Sequence, residues 1–113
     1  RDPISPYKGA DEVDTPVFIT ETIKIPSNYV LFQNYPNPFN PTTRIHYAVS
    51  SRQFVSLKVF DVLGNEIATL ANEEKPAGEY EVEFNATGLT SGVYFYQLKA
   101  GSFIETRKMV LLR

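Results

Sequence analysis

A lone histidine and a row of three glutamates are the side chains of this 113-residue sequence with the strongest claim to chemistry. Glu79, Glu81 and Glu83 recur at two-residue spacing, which on a strand sets them on one face roughly 7 Å apart. Carboxylate pairs at such separations run glycoside hydrolysis. The residues between them, Tyr80, Val82 and Phe84, are apolar. The row is therefore the wet face of a half-buried strand, with no cleft implied, and reads as solvated charge. His46 sits between Ile45 and Tyr47 on the outward side of a predicted strand. With no second histidine and no cysteine, an ordinary zinc site cannot be built around it. No serine occupies a Gly-x-Ser-x-Gly elbow for it to activate, and neither a P-loop nor a dinucleotide fingerprint occurs.

Three asparagines, Asn34, Asn37 and Asn40, carry carbonyl oxygens that can in principle ligate calcium. Calcium sites favour carboxylates, none joins these three, and a structural turn is the better reading. Asn85-Ala86-Thr87 matches a glycosylation acceptor, which matters only in a host that modifies such sites. Consecutive Tyr94, Phe95 and Tyr96 must point both ways, so at least one could face outward as a sugar-stacking platform. Burial in a central strand explains them as well and is preferred. The expectation is a chain with no catalytic residue, no metal and no cofactor.

Eleven basic against thirteen acidic residues leave a formal charge of −2, too balanced for an electrostatic nucleic-acid binder. The 42% apolar fraction is ordinary for a chain with a packed core. The absence of cysteine excludes disulfides and removes the redox clue to compartment. No apolar run approaches the ~20 residues of a membrane-crossing helix, so a spanning segment is not expected. The chain opens Arg1-Asp2-Pro3 with no signal-peptide pattern, which predicts a piece of a longer precursor whose export signal lies upstream.

Residues 1–28 read as a linker: three prolines and Gly9 fall in the first sixteen positions. Within it, residues 17–25 alternate Val17, Ile19, Ile23 and Ile25 against Thr20, Thr22 and Lys24, a possible additional strand. The folded domain is expected over 29–113. The run Asn34-Tyr35-Pro36-Asn37-Pro38-Phe39-Asn40-Pro41 should be rigid without regular structure. Pro36, Pro38 and Pro41 fix φ, and the asparagines can cap their own turns. Six strands are predicted beyond it, over residues 44–50, 54–60, 66–70, 79–85, 93–99 and 103–112. Asp61-Val62-Leu63-Gly64 is expected to be a type I turn closed by a left-handed Gly64, and residues 72–78 a charged loop ended by Gly78. In the last strand Phe103, Met109 and Leu111 oppose Ile104, Val110 and Leu112, with Glu105, Arg107 and Lys108 interrupting, so a bulge is expected. Apolar residues on both faces would also suit edge pairing with a partner. Short strands between turn signals, without helical periodicity, predict an all-β, immunoglobulin-like antiparallel β-sandwich of about seven strands. Tyr94 follows a loop carrying Leu89 and Gly92 at the start of the penultimate strand, where such folds bond a tyrosine hydroxyl back to loop backbone.

Four segments together resemble the C-terminal sorting domains of the type IX secretion system. They are the run from Asn34 continued through Thr42-Thr43-Arg44-Ile45, then Val59-Phe60-Asp61-Val62-Leu63-Gly64-Asn65-Glu66-Ile67, Leu89-Thr90-Ser91-Gly92-Val93-Tyr94, and Lys108-Met109-Val110-Leu111-Leu112. They stand in the family's order over residues 30–113, and the pattern also resembles the immunoglobulin-like domain of flagellar hook-capping proteins. The resemblance implies a non-catalytic targeting module that directs an N-terminally attached cargo to the surface or the medium, by way of the periplasm and outer membrane. An outer-membrane translocon would recognise it, and a sortase-like peptidase would remove it, with cleavage upstream of about residue 28. Carried over to this sequence, recognition would fall on Gly92, Tyr94, Lys108, Met109, Val110, Leu111, Leu112 and Arg113. The alternatives are a structural spacer or assembly domain and an accessory carbohydrate-binding module of a secreted hydrolase.

Overall fold

Period-two alternation builds almost every element of this molecule. The computed structural model describes residues 26–113, so the alternating stretch at 17–25 lies outside the described residues. Seven strands follow one another: β1 (Val30–Leu31), β2 (Thr42–Val49), β3 (Gln53–Phe60), β4 (Glu66–Lys75), β5 (Gly78–Asn85), β6 (Gly92–Ala100) and β7 (Phe103–Leu111). They form two antiparallel sheets, ordered β1-β2-β5 and β4-β3-β6-β7. Both sheets contribute to one core, in which Ile45, Tyr47 and Val49 of β2 share a cluster with Val55, Leu57 and Val59 of β3 and Tyr96 and Leu98 of β6. The fold is a two-layer β-sandwich. Each of the aliphatic side chains in that set is fully buried, and each stabilises by about 1.5–3 kcal/mol relative to exposure. Strand β6 lies between β3 and β7, as its apolar residues on both faces anticipate.

Two departures from the sequence reading have physical causes. Strand β4 does not end at Leu70 but runs on to Lys75, leaving Pro76 and Ala77 to cross between the sheets where a charged loop was expected. Its pairing with β3 slips twice: Leu57 faces Ala71 but Lys58 faces Thr69, and Val59 faces Ala68 but Phe60 faces Glu66. Each slip inserts an extra residue into β4, first Leu70 and then Ile67. Ile67, Ala68, Leu70 and Ala71 are all half-buried while Thr69 and Asn72 are exposed. This period of three hides a strand from any search for alternation.

The second departure is in β7, where the expected bulge is absent. Its register with β6 is unbroken from Gly92 opposite Leu111 to Ala100 opposite Phe103. Glu105 and Arg107 consequently share the inward side with Met109 and Leu111. They are tolerated because β1 is only two residues long and leaves that flank open. The two form an ion pair at 3.2 Å, and Arg107 Nε donates to the Leu31 carbonyl at 2.6 Å.

Sheet edges are the points at which a sandwich invites unwanted pairing. Here β1 is short, β4 is bulged and carries Glu73 and Glu74, and β5 alternates Glu79, Glu81 and Glu83. The edge of β7 is closed by the segment before β2. Phe39 N–H donates to the Val110 carbonyl at 2.9 Å, and Leu112 N–H donates to the Phe39 carbonyl at 3.0 Å. The chain enters the sandwich at one end, where Tyr29 bonds Ser51 and stacks on Phe103. The β3–β4 turn, the β5–β6 loop and residues 111–113 lie at the other.

Candidate functional site

The proline-rich segment is held by partners far away in sequence as well as by its own turns. Asn34 is buried, and its backbone N–H donates to the Tyr96 hydroxyl at 2.8 Å. Its side-chain Nδ2 donates to the Pro36 carbonyl at 3.1 Å and to Thr43 Oγ1 at 2.9 Å. Thr43 Oγ1 donates in turn to Pro36 at 2.8 Å. The Asn37 side chain does not cap its own turn: its Oδ1 accepts the Val110 N–H at 3.0 Å. Asn40 shows no capping bond among the described residues, whereas the neighbouring Pro41 carbonyl accepts the Ala86 N–H at 2.8 Å. The peptide bonds preceding Pro36, Pro38 and Pro41 are cis.

Tyr96 anchors this arrangement, a role that its place in the Tyr94-Phe95-Tyr96 run did not announce. Its ring is fully buried, and its hydroxyl donates to the Phe32 carbonyl at 2.7 Å while accepting from Asn34. Burial pushes its pKa up to about 12. A signal was available: Tyr96 shares inward parity with Leu98, and a buried tyrosine hydroxyl requires a partner.

Tyr94 is buried too, and its hydroxyl donates to the Thr90 carbonyl at 2.7 Å, across the turn that leads into β6. Tyr94→Phe keeps the ring and removes this bond, so a loss of about 1 kcal/mol is expected. In a domain of this size that lowers Tm by roughly 4–8 °C. An unchanged melting curve would show that the hydroxyl contributes nothing. Since Tyr94 and Tyr96 both point inward and Phe95 is half-buried, β6 presents no row of outward tyrosines.

Asp61 organises the β3–β4 turn. Its Oδ1 accepts the N–H groups of Leu63 and Asn65, both at 2.9 Å, and its carbonyl accepts Gly64 N–H at 3.0 Å. The Asn65 N–H, helped by the Asn65 side chain and the Leu63 and Gly64 N–H groups, holds the Asp61 carboxyl below its usual range. Gly64 has φ of +87° with open space where a Cβ would stand. Gly64→Ala should therefore cost about 1 kcal/mol through backbone conformation alone. A Tm equal to that of the wild type would refute this reading of the turn.

Of the residues at the end of the chain, Met109 and Leu111 are fully buried. Lys108, Leu112 and Arg113 are exposed and Val110 is half-buried. The Lys108 carbonyl accepts Gln33 Nε2 at 2.8 Å. Arg113 folds back: its Nε donates to the Leu89 carbonyl at 2.6 Å, its Nη2 to Ala86 at 3.0 Å, and its backbone N–H to Ser91 Oγ at 2.9 Å. Gly92, exposed, starts β6 opposite Leu111. The glutamate row lies elsewhere, on the open outer face of the three-stranded sheet. There Glu81 pairs with Arg44 at 3.4 Å and lies 3.5 Å from His46. No group of three or more potential metal ligands occurs among the described residues.

The four motif segments, spread over almost eighty residues of sequence, thus meet at one end of the sandwich. Asn37 and Phe39 bond to β7, Arg113 closes on the 86–91 loop, and an open groove of about 430 Å³ lies between residues 61–63 with Ile67 and residues 88–94. These features define a small β-sandwich module whose distinctive residues shape a surface. The family model of the secretion system C-terminal sorting domain matches residues 33–112. The chain belongs to that family, the sorting domains of type IX secretion. No curated protein matches it.

Proposed function

We propose that this chain is a non-catalytic targeting module that takes a larger exported protein, joined at its N-terminal side, across the outer membrane through type IX secretion. The observation that carries this reading is the convergence of all four motif segments at one end of the sandwich, within a family match spanning residues 33–112. The outer-membrane translocon reads the folded domain. A sortase-like peptidase cuts in the stretch before residue 28 and frees the cargo or joins it to the cell surface. Among the proposed recognition residues, Tyr94, Met109 and Leu111 have their side chains in the core and act by fixing the strand. Gly92, Lys108, Val110, Leu112 and Arg113 form the surface that is met.

The test is delivery of a periplasmic reporter fused ahead of residues 1–113, in a host that possesses the machinery, against the reporter alone. The fusion is expected on the surface or in the medium, and the reporter alone in the periplasm. Retention of both in the periplasm sinks the proposal and leaves a structural spacer.

A further inference from the structure

The tip of the β3–β4 hairpin is chemically out of place. Central positions of turns favour Asp, Asn, Ser, Gly and Pro, yet Val62 and Leu63 stand there 65% and 83% exposed. Neither belongs to the core or to the half-buried residues packed against it. The turn geometry is supplied by Asp61 and Gly64 and asks nothing of these two side chains. Beside them lies the open groove, with half-buried Ile67, Leu89 and Val93 in its lining. Leu112, 55% exposed, adds a third large apolar side chain at this end.

Charge sets this end apart. The Asp61 carboxylate is occupied by Leu63 and Asn65 N–H groups, and Glu66 by Thr69 at 2.6 Å and Lys58 at 3.4 Å. The Arg113 guanidinium is turned onto two carbonyls. The hydrogen-bonding capacity of these three charged groups is thus taken up within the domain, and the side chains at the tip itself, Val62 and Leu63, are apolar. The outer face of the three-stranded sheet is the opposite case, a ladder of Arg44, His46, Glu81 and Glu83. A partner complementary to the tip has an uncharged, apolar cleft.

Edge pairing, the other route by which a last strand could be read, is closed along the end of β7. The outward backbone groups there are already bonded to Gln33, Asn37 and Phe39. Recognition through this end of β7 must therefore use side chains. The position of the tip also suits a carried module, because preceding chain enters at Tyr29, at the other end of the sandwich. The eight residues of β3 separate the ends by roughly 26 Å.

Resting on the sorting reading above, we infer that Val62 and Leu63, with the groove beside them, are the docking surface for a protein of the secretion machinery that receives them in an uncharged apolar cleft. The experiment uses the reporter fusion with V62D/L63D, and F54D as a control that places one aspartate on an exposed apolar site at the entry end, where Phe54 is 57% exposed. V62D/L63D is expected to lower surface delivery about ten-fold or more, with Tm held within about 3 °C of wild type because both side chains are exposed. F54D is expected to be delivered like wild type. Wild-type delivery by V62D/L63D overturns the inference while the sorting reading stands. Equal loss in both variants at unchanged Tm also overturns it, since the contact would not be confined to this end. Failure of the wild-type fusion removes the sorting reading and this inference with it. Sedimentation of the purified chain covers the remaining occupant: a dimer that V62D/L63D converts to monomer assigns the tip to a second copy and overturns the commitment to another protein.

Discussion

Deleting residues 108–113 is expected to unfold the domain. Met109 and Leu111 are fully buried in the shared core, and truncating a buried Met or Leu to alanine alone costs about 2–5 kcal/mol each. The deletion also strips the Phe39 N–H and carbonyl of their partners, removes the Val110 N–H that donates to Asn37 Oδ1, and frees the Leu89 and Ala86 carbonyls from Arg113. Each hydrogen bond lost is worth about 1 kcal/mol. The sum, about 9–15 kcal/mol, is as large as the roughly 5–15 kcal/mol that holds an ordinary domain together. Circular dichroism of the deleted chain at 25 °C should show no cooperative melt. A melt within a few degrees of wild type would mean that β7 is dispensable and that the core as described is not the core. Loss of export on such a deletion therefore cannot separate a missing signal from a missing fold, which is why the exposed Val62 and Leu63 are the better targets.

The second large effect concerns two buried tyrosines that differ in what their hydroxyls touch. Tyr96→Phe leaves the Phe32 carbonyl and the Asn34 N–H without the partner that joins them. Stranding the buried Asn34 N–H and the part-buried Phe32 carbonyl costs about 2–4 kcal/mol. Tyr47 is equally buried, yet its hydroxyl has no partner among the described residues. The ring stacks on Tyr80 at 5.4 Å, a contact that phenylalanine preserves. Tyr47→Phe removes the cost of an unpaired polar group and should be neutral or stabilising by about 1 kcal/mol. Chemical denaturation of both variants tests the pair, and equal destabilisation would defeat the argument. Alkaline pH gives an independent check. Tyr96 has a pKa raised from 10.0 to about 12, so the folded state favours the protonated hydroxyl. That contribution is whole below pH 10 and is lost as pH rises through 12, amounting to about 3 kcal/mol. The Tyr96→Phe variant should lose that segment of the pH dependence.

Much of this was legible in the sequence where local pattern and tertiary position agree. Strands β2, β3 and β5 alternate cleanly, and their inward residues are the ones that alternation selects. The Asp61 to Gly64 turn announces itself because its chemistry is contained within a few residues. What stayed hidden depends on partners distant in sequence. Asn37 gives no sign that it will reach Val110, 73 residues on, and an asparagine between prolines reads as a turn cap. Strand β4 loses its alternation to two bulges that only β3 can define. Glu105 and Arg107 look like breaks in a strand because the open flank that accommodates them is made by the shortness of β1. The candidate surface was legible as motifs but not as a place, since motif order along a chain says nothing of which ends of which strands adjoin.

The parallel bridge between Phe39 and Leu111 bears on the order in which a ribosome releases this chain. Its two halves are made 72 positions apart, and Leu112 supplies the second bond that locks Phe39 in place. Until those positions have emerged, the start of β6 at Gly92 has no outer neighbour and the segment around Phe39 has nothing to close upon. Non-local pairings of this kind also form late because the intervening chain must be ordered first. A nascent polypeptide interrupted anywhere before residue 111 would carry the early motifs without the surface they build. Completion of the fold is thus a record that everything translated ahead of it has been made.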